Sequence, residues 1–427
     1  LEKGEFIEPA EFLQRERLMM PRMFDTEFSV VEVFGRSIPT VSAAVVTGKL
    51  VGGSATINHA LAFEPPRPVI RDWRDLYGAE LDYEDLEPHF AAIHKLLRIA
   101  PVPESQIAGS NLALRRGVQA LGLPHHGPAQ RNAHQCIGCG FCDLGCRYNR
   151  KLTPLNMVLP LAARHGAQVL ANCRVDQLLL EALPDDGRAG RTHRVTGVVA
   201  HLTDARGRDR QRVEIRARRV VLAAGPFASP RILMQSGVPG LRLAKGSERA
   251  VGERFSTHAT TTFFADFDEA LYPSAATPPM GYFVKKYEVE DQTGADPARD
   301  HVRYALEGLL SHPLAIAQLV PYESAESHFA FMRRLNQTMT LAVMFRDRPV
   351  GRVTARGFEY ALAEEDQPGW LDALRTGARV MFAAGARRVF FNSHRPLILN
   401  RPADIDAMLT ADLVRQERTQ ITSGHPM

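Results

Sequence analysis

Four of the chain's five cysteines, Cys136, Cys139, Cys142 and Cys146, fall within eleven residues, and no other feature limits the fold as tightly. Two, two and three residues separate them, the bacterial ferredoxin spacing, in which thiolates wrap three corners of a cubane and the fourth cysteine serves the other of two clusters. Glycines at 138, 140 and 145 interleave with them, so the backbone can turn beside each thiol. Arg147 stands where such a run usually carries proline, and no second cysteine run follows. Three readings stay open at this point: an iron-sulfur cluster, a structural cysteine-glycine loop inside a larger redox enzyme, and a zinc site. Cys173, in an apolar segment, reads as a small buried hydrophobe.

The rest of the composition excludes more than it selects. At 427 residues and 45% hydrophobic content the chain can fill the cores of two or three domains. Of 52 basic residues only seven are lysine, a compositional bias toward arginine, and the 48 acidic residues leave a formal charge of +4. That surplus over this length points to neither nucleic acid nor an anionic membrane as partner. No run reaches the roughly 18 apolar residues of a membrane span. The best candidate, residues 304–320, is broken by Glu307, His312 and Pro313. No signal peptide is visible, and crowded cysteines do not form a disulfide framework, which favours a reducing, cytoplasmic compartment.

Read in order, residues 1–4 look like the end of a strand with an acid, Glu2, at its tip. Residues 47–58 hold three glycines among small residues, a turn whose backbone can lie against a flat ligand, with Ser54 and Asn58 adding polar contacts. The spacing of apolar residues over 71–100 predicts a loop and then an amphipathic helix whose aromatics join the core, and a second helix over 111–121 ending at Gly122. Beyond the cysteines, a helix is expected over 157–165, a strand over 168–180, and two further strands over 195–202 and 211–215 as a meander. Residues 218–225 read as a buried strand running into Gly225, with a helix capped by Ser229, begun at Pro230 and stopped by Gly237. From 253 to 396 the pattern predicts an antiparallel sheet with helices on one side, residues 371–384 being the clearest helix.

Taken together these pieces resemble the glucose-methanol-choline family of FAD-dependent oxidoreductases over the whole chain, nearest its long-chain alcohol oxidase-like members. Residues 48–58 look like the first family signature, with Ala55 where Ser or Thr is usual, and 225–238 look like the second, followed by a matching stretch at 251–258. Residues 172–175 resemble the strand whose valine backbone meets adenine. Residues 423–427, Ser-Gly-His-Pro-Met, resemble the start of the catalytic motif. The resemblance implies that Glu2, Gly48, Gly52, Gly53, Ser54, Asn58, Val175, Ala224, Gly225 and Ser229 hold FAD, and that His425 acts on the substrate hydroxyl. Ile57 stands where relatives with covalent flavin carry histidine, so FAD is expected to be non-covalent.

The implied fold is α/β plus α+β: an incomplete, Rossmann-like FAD domain over 1–65, 151–250 and 400–427, and an antiparallel-sheet substrate domain over 66–150 and 251–399 that carries the cysteine loop, 135–147. No glycine-rich phosphate-binding turn opens a βαβ unit in this sequence. The chain is therefore expected to be a fragment, with that turn upstream of Leu1 and the second catalytic residue downstream of Met427. The expected reaction is oxidation of an alcohol to an aldehyde or ketone by hydride transfer to flavin, with His425 as base. Apolar runs over 309–320 and 329–344 suggest a long-chain alcohol. The electron acceptor, whether oxygen, quinone or cytochrome, leaves no trace in the sequence. The rival readings are a sugar dehydrogenase of the same family and an iron-sulfur electron-transfer module with a vestigial flavin site.

Overall fold

The segment Thr-Met-Thr-Leu-Ala-Val-Met-Phe is nearly all apolar and β-prone, the pattern of a strand covered on both faces. In the computed structural model it is the strand Thr338–Phe345, in the interior of a ten-stranded sheet. The structure describes residues 1–25, 31–33, 41–45, 47–184, 193–204, 206–238, 251–271, 277–285, 304–309, 312–320, 322–355, 357–391, 397–415 and 422–423. Thr338–Phe345 pairs antiparallel with Thr260–Asp266 on one side and Tyr304–Leu309 on the other. Tyr282–Lys285 and His126–Pro128 extend the sheet past Tyr304–Leu309, and Arg388–Phe391 and Leu397–Leu399 extend it past Thr260–Asp266. The antiparallel sheet expected over 253–396 is thus present.

Strand alternation divides this sheet into two faces. On the first, Tyr304, Leu306, Leu341, Val343 and Phe263 join the main core with the helices Ser110–Ala120 and Gln367–Ala383. The Tyr304 hydroxyl donates to Asp372 at 2.6 Å and lies 2.9 Å from the Thr376 hydroxyl, fixing the second helix on the sheet. The two helices cross where Gly117 faces the Val380 carbonyl: a Cβ there would sit 2.1 Å from that oxygen. Gly117→Ala is therefore expected to cost about 2–3 kcal/mol, because backbone cannot step aside as a side chain can. Urea unfolding would check this, and an unshifted midpoint would contradict the close approach.

On the second face, Phe264 and Phe390 pack against Ile316 and Val320 of the Pro313–Leu319 region and against Phe331 and Met332 of the helix Ala325–Met332. Helices therefore cover both faces, not one as the pattern suggests. Glu307 is the exception among these apolar positions. It lies between Phe283 and Ala342 in register and is only 1% exposed.

The expected meander is present as Cys173–Ala182, His193–Thr203 and Asp209–Arg216, its first strand starting later than the sequence suggests. Cys173 is buried, as read. The helix Gly225–Gln235 packs on this meander through Ile232, Leu178 and Val198. It starts five residues before the expected site, with Ala224 as its cap and Pro226 in its first turn. Ser229 is not the cap: its Oγ reaches back to accept the Ala224 N–H at 3.0 Å.

Two further expectations fail. Residues 218–224 form no strand, and Val221 is 90% exposed. The run has strand composition, but no described strand pairs with it, and a strand without a ladder partner has nothing to hold it. Residues 71–100 belong to two helices, Arg67–Tyr77 and Tyr83–Leu97, hinged at Gly78 with φ of +70°. They are tied to each other by Arg67, which pairs with Glu84 and Glu87 and sits over the Tyr83 ring. Ile70 of the first helix is buried, but the aromatics and apolar residues expected in the core from 71 onward include Trp73, Tyr77, Ile93 and Leu96, which are exposed. Among the described residues no helix is long and apolar enough to cross a membrane.

Candidate functional site

Three stretches far apart in sequence meet through their backbones. Glu2 donates its N–H to Leu170 at 3.0 Å and accepts from Cys173 at 2.8 Å, and the Gly4 carbonyl accepts from Asn172 at 2.9 Å. On the other side Glu5 bridges Leu50 in parallel and accepts the Val51 N–H at 3.0 Å. Residues 1–5 thus run between the start of the Cys173 strand and the glycine-rich turn. Gly4 is required for this approach, since a Cβ would lie 2.2 Å from the Lys49 carbonyl oxygen. Burial pushes the Glu2 carboxyl upward, while the Gly4 N–H at 2.7 Å opposes that shift and fixes the side chain. Val175 lies two residues past Cys173 on the same strand.

The turn itself is closed from within. Ser54 accepts the Gly48 N–H at 2.8 Å, and Asn58 accepts the Ala60 N–H at 2.9 Å. The side chains expected to contact a ligand therefore shape the loop first, leaving backbone as its presenting surface. Gly52 and Gly53 both have positive φ, +96° and +62°. A Cβ on Gly52 would strike Thr56 and Leu155, whereas Gly53 has no protein atom within 4 Å of that position. Gly225 is alike, with φ of +83° and open space before it. The Thr56 hydroxyl is buried and has no hydrogen-bond partner.

The cysteine loop grows from a short stem in which Ala133 bridges Lys151, with His134 bonding Arg150 at 2.9 Å and Leu152 bonding Asn132 at 2.8 Å. Leu144 anchors the loop in a core with Phe12, Met19, Leu50, Val51 and Ile57, so the loop and the glycine-rich turn share packing. All four cysteines are free thiols lining one pocket. Burial pushes the Cys139 and Cys142 thiols up. Phe141 stacks on His312 at 4.3 Å. Burial also opposes ionisation of Asp143, yet His312, 3.0 Å away, holds that carboxyl below its ordinary range.

Lys151 connects the two sites. It is 3% exposed, and its ammonium donates to the carbonyls of Thr56, Asn58 and Cys142 at 2.7, 2.8 and 2.8 Å. Burial pulls its pKa down to about 8. Arg131 lies beside it, donating to the His59 carbonyl at 2.8 Å and to Cys142 Sγ at 3.1 Å. Sequence reasoning misses both. The available signal was that Lys151 is one of seven lysines in an arginine-rich chain and stands five residues after Cys146. Glu307 is missed in a different way, noticed as a break in an apolar run but not as a buried acid.

Thr422 and Ser423 join the large sheet beside Thr260 and run parallel to residues 44 and 45. His425 lies outside the described residues. Ala224, Gly225 and Ser229 stand together at the start of their helix, whose far end meets the Cys173 strand where Ser236 Oγ accepts the Leu178 N–H at 2.8 Å. Among the described residues no three His, Cys, Asp or Glu side chains are grouped to hold a metal ion.

The glycine-rich turn, the helix opening on Gly225 and the large antiparallel sheet together make a mixed helix-and-sheet fold. The chain belongs to the GMC oxidoreductase family, whose model matches residues 33–260. It is 28% identical over 353 residues to an uncharacterized GMC-type oxidoreductase of Mycobacterium tuberculosis, covering 80% of this chain and 49% of that one. It is 24% identical over 406 residues to a long-chain-alcohol oxidase of Arabidopsis thaliana, covering 92% and 50%. The chain thus spans about half the length of the curated relatives it matches. A formate oxidase of Aspergillus oryzae RIB40, solved in work on FAD modification, shares the fold with a TM-score of 0.59 at 14% identity, over 98% of this chain and 82% of that one.

Proposed function

We propose that this chain forms part of a flavoenzyme that binds FAD non-covalently and oxidises an alcohol to an aldehyde or ketone. The observation that carries the reading is the backbone junction of residues 1–5, the turn at 48–58 and the start of the Cys173 strand, three stretches the family resemblance assigns to one cofactor. The residues present fit that group. Gly53 and Gly225 present open backbone in conformations that side chains disfavour, and the buried Thr56 hydroxyl lacks a partner within the protein. Glu2 would hold the ribose, Gly52 and Gly53 would face the ring system, and the Val175 backbone would meet adenine. Ala224, Gly225 and Ser229 would present the opening of their helix to the cofactor.

Bound flavin supplies the hydride acceptor. The chain's own part is to orient the alcohol and to receive its hydroxyl proton, which we assign to His425, whose ordinary pKa of about 6.5 suits proton transfer near neutrality. The same reading divides the chain into a discontinuous FAD part, 1–65, 151–250 and 400–427, and a substrate part, 66–150 and 251–399. Most of residues 338–345, together with Ile316 and Val320, are used in core packing, so their apolar character does not itself argue for a long-chain substrate. Similarity to the plant long-chain-alcohol oxidase supports that substrate class instead.

The test is turnover by the full-length protein on a panel of fatty alcohols and aldoses with oxygen, quinone and cytochrome acceptors. Fatty alcohols are expected to reduce the flavin, and His425→Ala is expected to slow that reduction by about 10²–10⁴-fold while flavin stays bound. Unchanged turnover with intact flavin would remove His425 from the mechanism, and reduction by aldoses alone would assign the protein to sugar oxidation.

A further inference from the structure

We infer that Cys136, Cys139, Cys142 and Cys146 are the ligand set of a four-iron, four-sulfide cluster. The four thiols line a single pocket, and Ile137 and Tyr148 stand on its wall. Convergence of this kind needs a backbone that reverses repeatedly. Gln135, Gly138, Gly140 and Gly145 supply it, with φ of +52°, +68°, +85° and +80°. Gly145 has a second constraint, since a Cβ would lie 2.4 Å from the Phe12 ring.

The surroundings are built for sulfur that carries charge. Gly138 N–H points at Cys136 Sγ at 3.4 Å, and the N–H groups of Arg150 and Lys151 point at Cys146 Sγ at 3.2 and 3.4 Å. Arg131 donates to Cys142 Sγ at 3.1 Å. Each of these N–H groups has a cysteine sulfur as its acceptor, the hydrogen-bond arrangement that surrounds the sulfurs of a bound cluster. Two buried cations stand at the same place. The three hydrogen bonds of Lys151 all end on carbonyl oxygens, and those of Arg131 end on a carbonyl and on Cys142. Buried cations call for an anion nearby. Asp143 supplies one to Lys151, and four thiolates around an iron-sulfide core would add further negative charge beside Arg131.

Composition separates this assignment from a single zinc ion, because a cluster carries sulfide and a zinc site does not. The first three cysteines keep the two-residue spacing of a cluster-binding run. In such runs the fourth cysteine serves a second cluster; no second run follows in this sequence, and Cys146 lines the same pocket as the other three. The assignment does not rest on the flavin reading, because its ligands, donors and countercharges belong to this loop and its stem.

The experiment is to purify the full-length protein without oxygen and to measure iron, zinc and acid-labile sulfide per chain, with flavin determined separately. About four iron and four sulfide are expected, with an EPR signal appearing on reduction by dithionite. Cys139→Ser and Cys142→Ser are each expected to lower iron at least fourfold, while Cys173→Ser, outside the pocket, leaves it unchanged. Far-UV circular dichroism would show that each variant is folded, and iron-sulfide reconstitution of unfolded wild-type protein would stand in for any variant that is not. One zinc per chain without sulfide would overturn the assignment. So would a folded protein free of iron after reconstitution, or a disulfide among these cysteines in anaerobic material.

Discussion

Lys151→Met is expected to destabilise the protein by about 3 kcal/mol and to loosen two loops at once. The ammonium bonds carbonyls from residues 56, 58 and 142, two of the three bonds being buried and the one to residue 58 partly so. A hydrogen bond from a charged donor is worth about 1.5–3 kcal/mol, and three orphaned carbonyls would cost more in sum than the relief of no longer burying a charge returns. Lys151→Arg is not expected to rescue it, because a planar guanidinium cannot replace three donors directed from one nitrogen. The check is a denaturation midpoint together with hydrogen exchange at residues 50–58 and 139–146. Faster exchange in only one of the two loops would show that Lys151 does not couple them.

Glu307→Gln is expected to make the protein more stable above neutrality and to flatten its pH dependence. Burial alone raises the Glu307 carboxyl to about 8, against an ordinary value near 4.5, and Oε1 has no hydrogen-bond partner. The folded state therefore holds a proton that the unfolded chain releases. Stability from this group is fully present below pH 4.5, falls as pH rises, and has been lost once pH passes about 8. The neutral amide removes that loss, so the variant should gain on the wild type by a few kcal/mol at pH 8–9 and match it more closely at pH 5. Lys285, on the neighbouring strand and over the Phe63 ring, is the nearest described charge by register, its partner being Ala305. Parallel unfolding curves for variant and wild type across this pH range would mean that Glu307 is ionised in the fold.

What the sequence made legible, and what it did not, follows from how far each determinant reaches. The turn at 48–58 could be read because its conformation is written in its own glycines, and the meander because hydrophobic alternation is local. The helix at 367–383 likewise announces itself by its period. Lys151 could not be read, since its partners at residues 56 and 58 are more than ninety residues away and only the folded stem brings them near. Ser229 misled because a serine followed by proline is a common helix start, whereas the structure starts the helix at Gly225 and turns the serine back onto it. Residues 71–100 show the limit of periodicity: their apolar stripe is real, but nothing in a period says whether a core lies beneath it. Residue 425, the centre of the catalytic reading, belongs to a stretch whose placement is not described.

Residues 220–224, Val-Val-Leu-Ala-Ala, have the further consequence of setting how these 427 residues behave among copies of themselves. A short β-prone run with no charge, no proline and Val221 turned to solvent is a template for strand addition. The flanking Arg218 and Arg219 act as gatekeepers, repelling a second copy at low ionic strength and less so as salt screens them. Colloidal behaviour, set here by five apolar residues between two arginines and a glycine, is therefore expected to follow ionic strength more closely than it follows the stability of the fold.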